Sequence, residues 1–359
     1  MTMNNNEKSR QPDAARKTFN VVFGSGGSKA VLTGMGAVLA FELSGLKFAT
    51  IGGCSGGSIP AFLMSGMSEG KFNISLLLSE VLDVEFTQMV KPKTSFLPRL
   101  WALAMKFRHE ARRTRVGVYT WEPLKMHFDG LAPEFPKNLW IAGAHEDGLV
   151  LMTADGTHLY REGNRRVLNW LKPVTVGTAI SASCAVPGVI DLVPVEGKWL
   201  YDGALSYEGA CPTQPISRHF GHDQSTVIAF DVGEDSIKEK RWFRLWWQVA
   251  CGRSGDVCGT FEGKHAVEQE GRIVITPVTD HFHGLKFVLT REEKWHAILA
   301  GFKATFEKLK AEGLVSEASA PRLFELYGRI QEILASGKKG REFVKLLEGA
   351  TIKRGYFNK

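Results

Sequence analysis

The sequence predicts an α/β fold built on a mostly parallel central sheet. Three observations carry that expectation. The first 68 residues alternate strand-like and helix-like periodicity, glycine clusters stand at the strand-to-helix junctions, and short apolar runs recur further along. At 359 residues and 44% hydrophobic content, the chain has material for a large core.

Met1 to Lys17 are polar and charged without apolar periodicity, and read as a disordered tail. FNVVF (19–23) is a short strand running into a glycine cluster. Leu32, Met35, Leu39 and Leu43 then recur at helical spacing on one face, and Gly45 ends that helix. FATIGG (48–53) is a second strand, followed by a helical stretch from Gly56 to Ser68 with Pro60 in its first turn, where a missing N–H matters little. NLWIAGA (138–144), GLVLMTA (148–154), TVIAFDV (226–232) and RIVITPV (272–278) are further strands, and a helix is expected over 174–185. Glu292–Lys310 and Arg322–Leu334 carry helical periodicity with many Lys and Glu. No repeat or low-complexity linker interrupts the chain. The expected organisation is the tail (1–17), an α/β catalytic domain (18–290) and a helical extension (291–359) packed on the same domain.

No apolar window is long enough to span a membrane, and the N-terminal residues hold no secretory signal. The five cysteines, Cys54, Cys184, Cys211, Cys251 and Cys258, are odd in number and lack CxxC spacing. They fit free thiols in a reducing compartment, so the expected location is cytoplasmic. A net charge of +7 favours an anionic partner, either nucleic acid or a membrane surface.

Two glycine-rich segments carry the chemistry. Gly53-Cys54-Ser55-Gly56-Gly57 places a serine between a predicted strand and a predicted helix. Glycines on both sides let the backbone bend sharply and project the hydroxyl, and the following helix start offers positive potential to an oxyanion. The second segment, Gly24 to Ala30 (GSGGSKA), follows the first strand. It is not a dinucleotide fingerprint, because Lys29 stands where the third glycine belongs, and no GK[ST] makes it a phosphate loop. An oxyanion loop needs only amides aimed at the neighbouring strand tip, where Ser55 sits. For a base, His281 and His283 in DHFHG are the best-placed histidines, while YDGA (201–204) sets Asp202 at a strand end before Gly203. An Asp-Gly pair taken alone is usually a turn.

Together these stretches resemble the patatin-like phospholipases, lipid acyl hydrolases with a Ser–Asp dyad. GSGGSKA resembles the family's oxyanion segment and GCSGGS its nucleophile elbow. ASCAVPGVI (182–190) resembles the block before the catalytic acid, and YDGA its Asp-Gly motif. The four blocks stand in family order over 19–232. Where the family often reads Asp-Gly-Gly-Gly-x-Arg-Gly, this chain keeps the positive charge as Lys29 but has Ser25 at a glycine position, and Cys211-Pro212 stands where Asn-Pro often follows. The resemblance implies a three-layer α/β/α fold with added C-terminal helices. It implies Ser55 as nucleophile and Asp202 as general base. Amides of Gly26, Gly27, Ser28 and Gly56 form the oxyanion hole, supported by Gly24, Lys29, Gly53, Gly57 and Gly203. The implied reaction is fatty-acyl ester hydrolysis through an acyl-enzyme, with neither metal nor cofactor.

A lipid hydrolase has to reach its membrane. In KEKRWFRLWWQVA (238–250), Trp242, Leu245, Trp246 and Val249 share one helical face, while Arg241 and Arg244 lie opposite and Trp247 adds apolar contact. FLPRLWALAMKFRHEARRTR (96–115) is similar around Trp101. The expected partner is therefore an anionic phospholipid surface, bound peripherally, rather than nucleic acid. Oligomerisation and activation by a ligand or partner are left open, as is a partner-gated effector phospholipase. An intact Ser55 and Asp202 argue against a catalytically weak lipid-binding relative.

Overall fold

The computed structural model describes residues 18–92, 115–117, 119–161, 165–187, 189–233, 272–279, 284 and 286–352. The expected tail, Trp101, the 238–250 stretch with Arg241, Trp242, Arg244, Trp246 and Trp247, and His281 and His283 lie outside them.

β1 (Thr18–Phe23) passes through the glycine loop into α1 (Gly27–Ser44). β2 (Lys47–Cys54) passes through one 3-10 turn (Ser55–Gly57) into α2 (Ser58–Ser68). α3 (Ile74–Asp83), the short α4 (Phe86–Met89) and a ribbon of β3 (Lys91–Pro92) with β4 (Tyr119–Thr120) precede α5 (Glu122–Leu131). Then come β5 (Leu139–His145), β6 (Gly148–Thr153), β7 (Gly156–Arg161), β8 (Arg165–Leu171) and α6 (Val176–Ser183). β9 (Val193–Val195), β10 (Lys198–Asp202), α7 (Gln214–Arg218), β11 (Val227–Phe230) and β12 (Ile273–Ile275) follow. Three helices follow among the described residues: α8 (Arg291–Ala311), α9 (Pro321–Ala335) and α10 (Gly340–Thr351).

Among the described residues ten strands form the main sheet, in the order β12-β11-β1-β2-β5-β6-β7-β8, with β10 on β5 and β9 on β10. From β12 to β5 the neighbours run parallel, as the alternating sequence predicts. From β5 to β8 they run antiparallel. The reason is loop length: only Glu146 and Asp147 separate β5 from β6, too few for a parallel crossover. Side chains alternate between two cores. Val21, Phe23 and Ile141 face α1, α2 and α8, whereas Val22, Trp140 and Ala142 face the segment around Ala204, Cys211 and Ile216. Helices thus cover the parallel strands on both faces, in a three-layer α/β/α arrangement.

The sequence predicts a single apolar face for α1, but the helix is buried almost all round, from Ser28 to Phe41. The cause is α8, which lies along its outer side. The two backbones approach so closely that a Cβ on Gly36 would stand 1.9 Å from the Ile298 carbonyl, and one on Gly301 1.9 Å from the Thr33 carbonyl. Both obstacles are backbone and cannot swing away. Gly36→Ala should therefore lower stability by about 3 kcal/mol through overpacking. Gly328→Ala, inside α9 with nothing near its Cβ position, should raise it by about 1 kcal/mol through helix propensity. Denaturant unfolding of the two variants checks the opposite signs.

Candidate active site

The C-terminal ends of β2 and β10 meet on one edge of β5. Cys54, the last residue of β2, pairs with Ala142, and Asp202, the last residue of β10, pairs with Gly143 in the opposite direction. Two chain segments that end at adjacent β5 residues bring their next side chains together. The Ser55 hydroxyl donates to Oδ2 of Asp202 at 2.6 Å, across 147 residues of sequence. The other carboxylate oxygen, Oδ1, accepts the Ala204 amide at 2.9 Å, and the Asp202 amide donates to the Ala185 carbonyl at 3.0 Å.

The serine sits on a strained turn. Ser55 has φ of 51°, in the left-handed region that a residue with a Cβ seldom adopts. Three hydrogen bonds hold it there. Its amide donates to Oγ of Ser183 at 2.7 Å, and that hydroxyl in turn donates to the Ala142 carbonyl at 2.5 Å. Its carbonyl accepts the Ser58 hydroxyl at 2.6 Å. Close backbone approach makes glycine necessary on both sides of the pair. A Cβ on Gly56 would lie 2.1 Å from the Gly27 carbonyl, and one on Gly203 2.3 Å from the Ala142 carbonyl. Gly53 faces the Ser58 backbone and Gly57 the Gly24 carbonyl with equally little room. Sequence reasoning did not single out Ser183; its only signal is its place in the ASCAVPGVI block.

The glycine loop at the start of α1 faces this elbow. The Gly24 amide is tied to the Phe230 carbonyl and the Ser25 amide to the Ala210 carbonyl, at 2.8 and 2.7 Å. The amides of Gly26, Gly27 and Gly56 have no acceptor among the described residues. Ser28 departs from expectation. Its amide donates to the Gly284 carbonyl at 2.7 Å, and its hydroxyl to the carbonyls of Gly284 and Lys286 at 2.9 and 2.8 Å. Ser28 therefore fastens Gly284 and Lys286 against the loop and has no amide left for an oxyanion. Lys29, next to it, is buried.

Asp202 is 3% exposed. Burial pushes its carboxyl up to about 6, against the opposing pull of the hydrogen bonds from Ser55 and Ala204. The nearby thiols stay protonated. Burial raises Cys54 well above the ordinary thiol range and, with the Asp202 charge, pushes Cys184 up to about 12. Neither is available as a thiolate at neutral pH. No group of His, Cys, Asp and Glu suited to a metal ion occurs among the described residues.

A sequence profile of the patatin-like phospholipases matches residues 21–212, from β1 past the Asp202 turn. The chain belongs to the patatin-like phospholipase family. The matched span holds Ser55, Asp202, the glycine loop and Ser183, and the family's chemistry is lipid acyl hydrolysis. No curated protein matches the chain. Among solved structures it is similar to VipD from Legionella pneumophila, at 10% identity and a TM-score of 0.39 over 92% of this chain and 79% of that one.

The raised carboxyl has a consequence for stability. Asp202 holds its proton up to about pH 6 when folded but only to 3.8 in the ordinary state. The folded protein therefore binds the extra proton between these values, and stability falls as pH rises through that window and stays lowered above it. At about 1.4 kcal/mol per unit, the loss at pH 8 is roughly 3 kcal/mol. Asp202→Asn is neutral at every pH, and is expected to unfold later than wild type at pH 8 and together with it near pH 4. Melting curves at both pH values read the difference.

Proposed function

We propose that this patatin-like protein is a serine ester hydrolase of the phospholipase A or lysophospholipase type, cleaving fatty-acyl esters of membrane glycerolipids. One observation carries the reading: a serine hydroxyl on a strained elbow donates at 2.6 Å to a buried aspartate. Asp202 takes the proton as Ser55 attacks the ester carbonyl, and returns it to the departing alcohol as the acyl-enzyme forms. Water, relieved of a proton by Asp202, then attacks the acyl-enzyme, and Asp202 returns that proton to Ser55 as the fatty acid leaves. A carboxyl near 6 suits this work better than an exposed aspartate, because it is ionised at neutral pH yet a stronger base.

The negative oxygen of the tetrahedral intermediate falls to the amides of Gly26, Gly27 and Gly56, at the starts of α1 and α2 where helix dipoles favour it. Each such donor contributes roughly 3 kcal/mol to lowering the barrier. Docking on an anionic phospholipid surface through the basic, tryptophan-rich stretches completes the proposal, supported by the net charge of +7. Among the described residues no helix is long and apolar enough to cross a membrane.

A fluorophosphonate probe is expected to label Ser55. Ser55→Ala should lose that label, and release of fatty acid from mixed liposomes should fall by at least about 10³-fold as read by lipid mass spectrometry. A label that persists in the folded variant, or maps to Ser58 or Cys54, would place the nucleophile elsewhere.

A further inference from the structure

Ser28 offers no amide to an oxyanion, yet its backbone fixes the amides that do. A peptide unit is planar and trans, so its N–H and its C=O point in opposite directions. In the unit that joins Gly27 to Ser28, the N–H donates to the Gly284 carbonyl at 2.7 Å. The Gly27 carbonyl therefore points the other way, toward the elbow, where a Cβ on Gly56 would stand 2.1 Å from its oxygen. The unit that joins Gly26 to Gly27 is fixed in the same manner. Its carbonyl accepts the Ala30 amide at 3.3 Å and abuts Gly284, where a Cβ would lie 2.5 Å from that oxygen. The Gly27 amide, at the opposite side of this unit, is thereby aimed away from α1. Gly284, Gly27 and Gly56 thus stack backbone on backbone, and the last two carry amides assigned to the oxyanion.

The Ser28 side chain holds this stack closed. It is buried, and its single hydroxyl proton is shared between the carbonyls of Gly284 and Lys286, at 2.9 and 2.8 Å. Lys286 passes the hold on to α8. Its ammonium pairs with Glu293 at 2.6 Å, and Glu293 closes a capping box with Thr290 at the start of that helix. Phe287, next in the chain, packs edge-on against Tyr119, with 5.5 Å between ring centres. The loop needs such support, because Gly26 and Gly27 have φ of 156° and 56°, and a glycine held by nothing else samples many other conformations. Ser28 stands at the position that the family pattern Asp-Gly-Gly-Gly-x-Arg-Gly leaves open, so the hold comes from this chain's own residue.

We propose that Ser28 is a positioning residue for the oxyanion donors: by gripping the carbonyls of Gly284 and Lys286 it seats these residues, just ahead of α8, on the glycine loop and so sets the spacing between the Gly27 and Gly56 amides. The proposal rests on the ester-hydrolase reading above. Ser28 makes no hydrogen bond to Ser55 or Asp202, and acts on the reaction only through the direction of its neighbours' N–H groups.

Three readouts on the full-length chain test it, in Ser28→Ala and in Gly284→Ala, whose new Cβ would press on the Gly26 carbonyl. The first is the split between kcat and KM for p-nitrophenyl butyrate. The second is the preference for a trifluoromethyl octyl ketone over the matching methyl octyl ketone. The Ser55 oxygen adds to the fluorinated carbonyl carbon, its proton passes to Asp202, and the carbonyl oxygen becomes the anion that the amides hold. The plain ketone binds without adding, so the preference reads the anion alone. The third is hydrogen exchange at the residue 28 amide, which needs no turnover. Either variant should lower kcat by about tenfold with KM within about twofold of wild type, and reduce the ketone preference by a similar factor. Ser28→Ala should also speed exchange at that amide by about tenfold. A folded Ser28→Ala protein that keeps the wild-type kcat and ketone preference would overturn the proposal, whatever its melting temperature, and would reduce Ser28 to a structural contact. If that variant does not fold, Gly284→Ala decides on the same two readouts. If the wild type hydrolyses no ester and shows no ketone preference, the ester-hydrolase reading falls. Exchange at residue 28 alone then decides whether Ser28 holds the loop, and unchanged exchange would overturn that as well.

Discussion

The site depends on one edge of one strand. β5 pairs with β2 up to Ala142 and with β10 from Gly143 onward, so a parallel partner and an antiparallel partner end against neighbouring residues. Backbone pairing fixes that register, and a shift of one residue would turn a side chain to the opposite face of the sheet. Ser183 reinforces the junction by joining the Ser55 amide to the Ala142 carbonyl through a single hydroxyl. The 2.6 Å hydrogen bond between Ser55 and Asp202 is thus a product of sheet register more than of the two side chains themselves.

The same junction explains why the aspartate is unusual. Holding Asp202 inside the sheet edge removes its water and raises its carboxyl, while among the described residues only Ser55 and Ala204 donate to it. The fold is less stable at neutral pH for that burial, and a stronger base is the return. The supporting layers run outward from there. α1 carries the glycine loop at its start, α8 packs backbone to backbone along α1, and α8 also anchors α3 through Lys294 and Arg291. A helix with no part in the chemistry therefore holds both α1, which carries the loop, and the end of α3.

Much of this was legible in the sequence, and the exceptions have physical causes. The glycine loop and the elbow are local devices whose residue types are dictated by close backbone approach, so GSGGSKA and GCSGGS announce them directly. The strands of the parallel half announce themselves as apolar runs for the same local reason. Asp202 needed the family resemblance, because nothing near YDGA says that its strand returns to β5. The all-round burial of α1 was hidden because its covering helix starts more than two hundred residues later, and its lining of small residues only makes sense once Gly301 is seen opposite. The Ser28 expectation failed for a similar reason: the carbonyl that takes its amide belongs to Gly284, far along the chain. The direction of β6 was readable from the two-residue link before it. Strand-like composition alone could not give it.

The central claim is that Asp202, with no histidine, serves as the base for Ser55. The most direct test is kcat/KM for a short soluble ester, measured for Asp202→Asn beside a His281→Ala/His283→Ala double variant, with folding of each verified by melting. The account predicts that the aspartate variant falls as far as Ser55→Ala, because members of one catalytic unit are not additive, while the double histidine variant keeps most of its activity. A histidine variant as inactive as the serine variant, or an Asp202→Asn protein that still turns over, would contradict it.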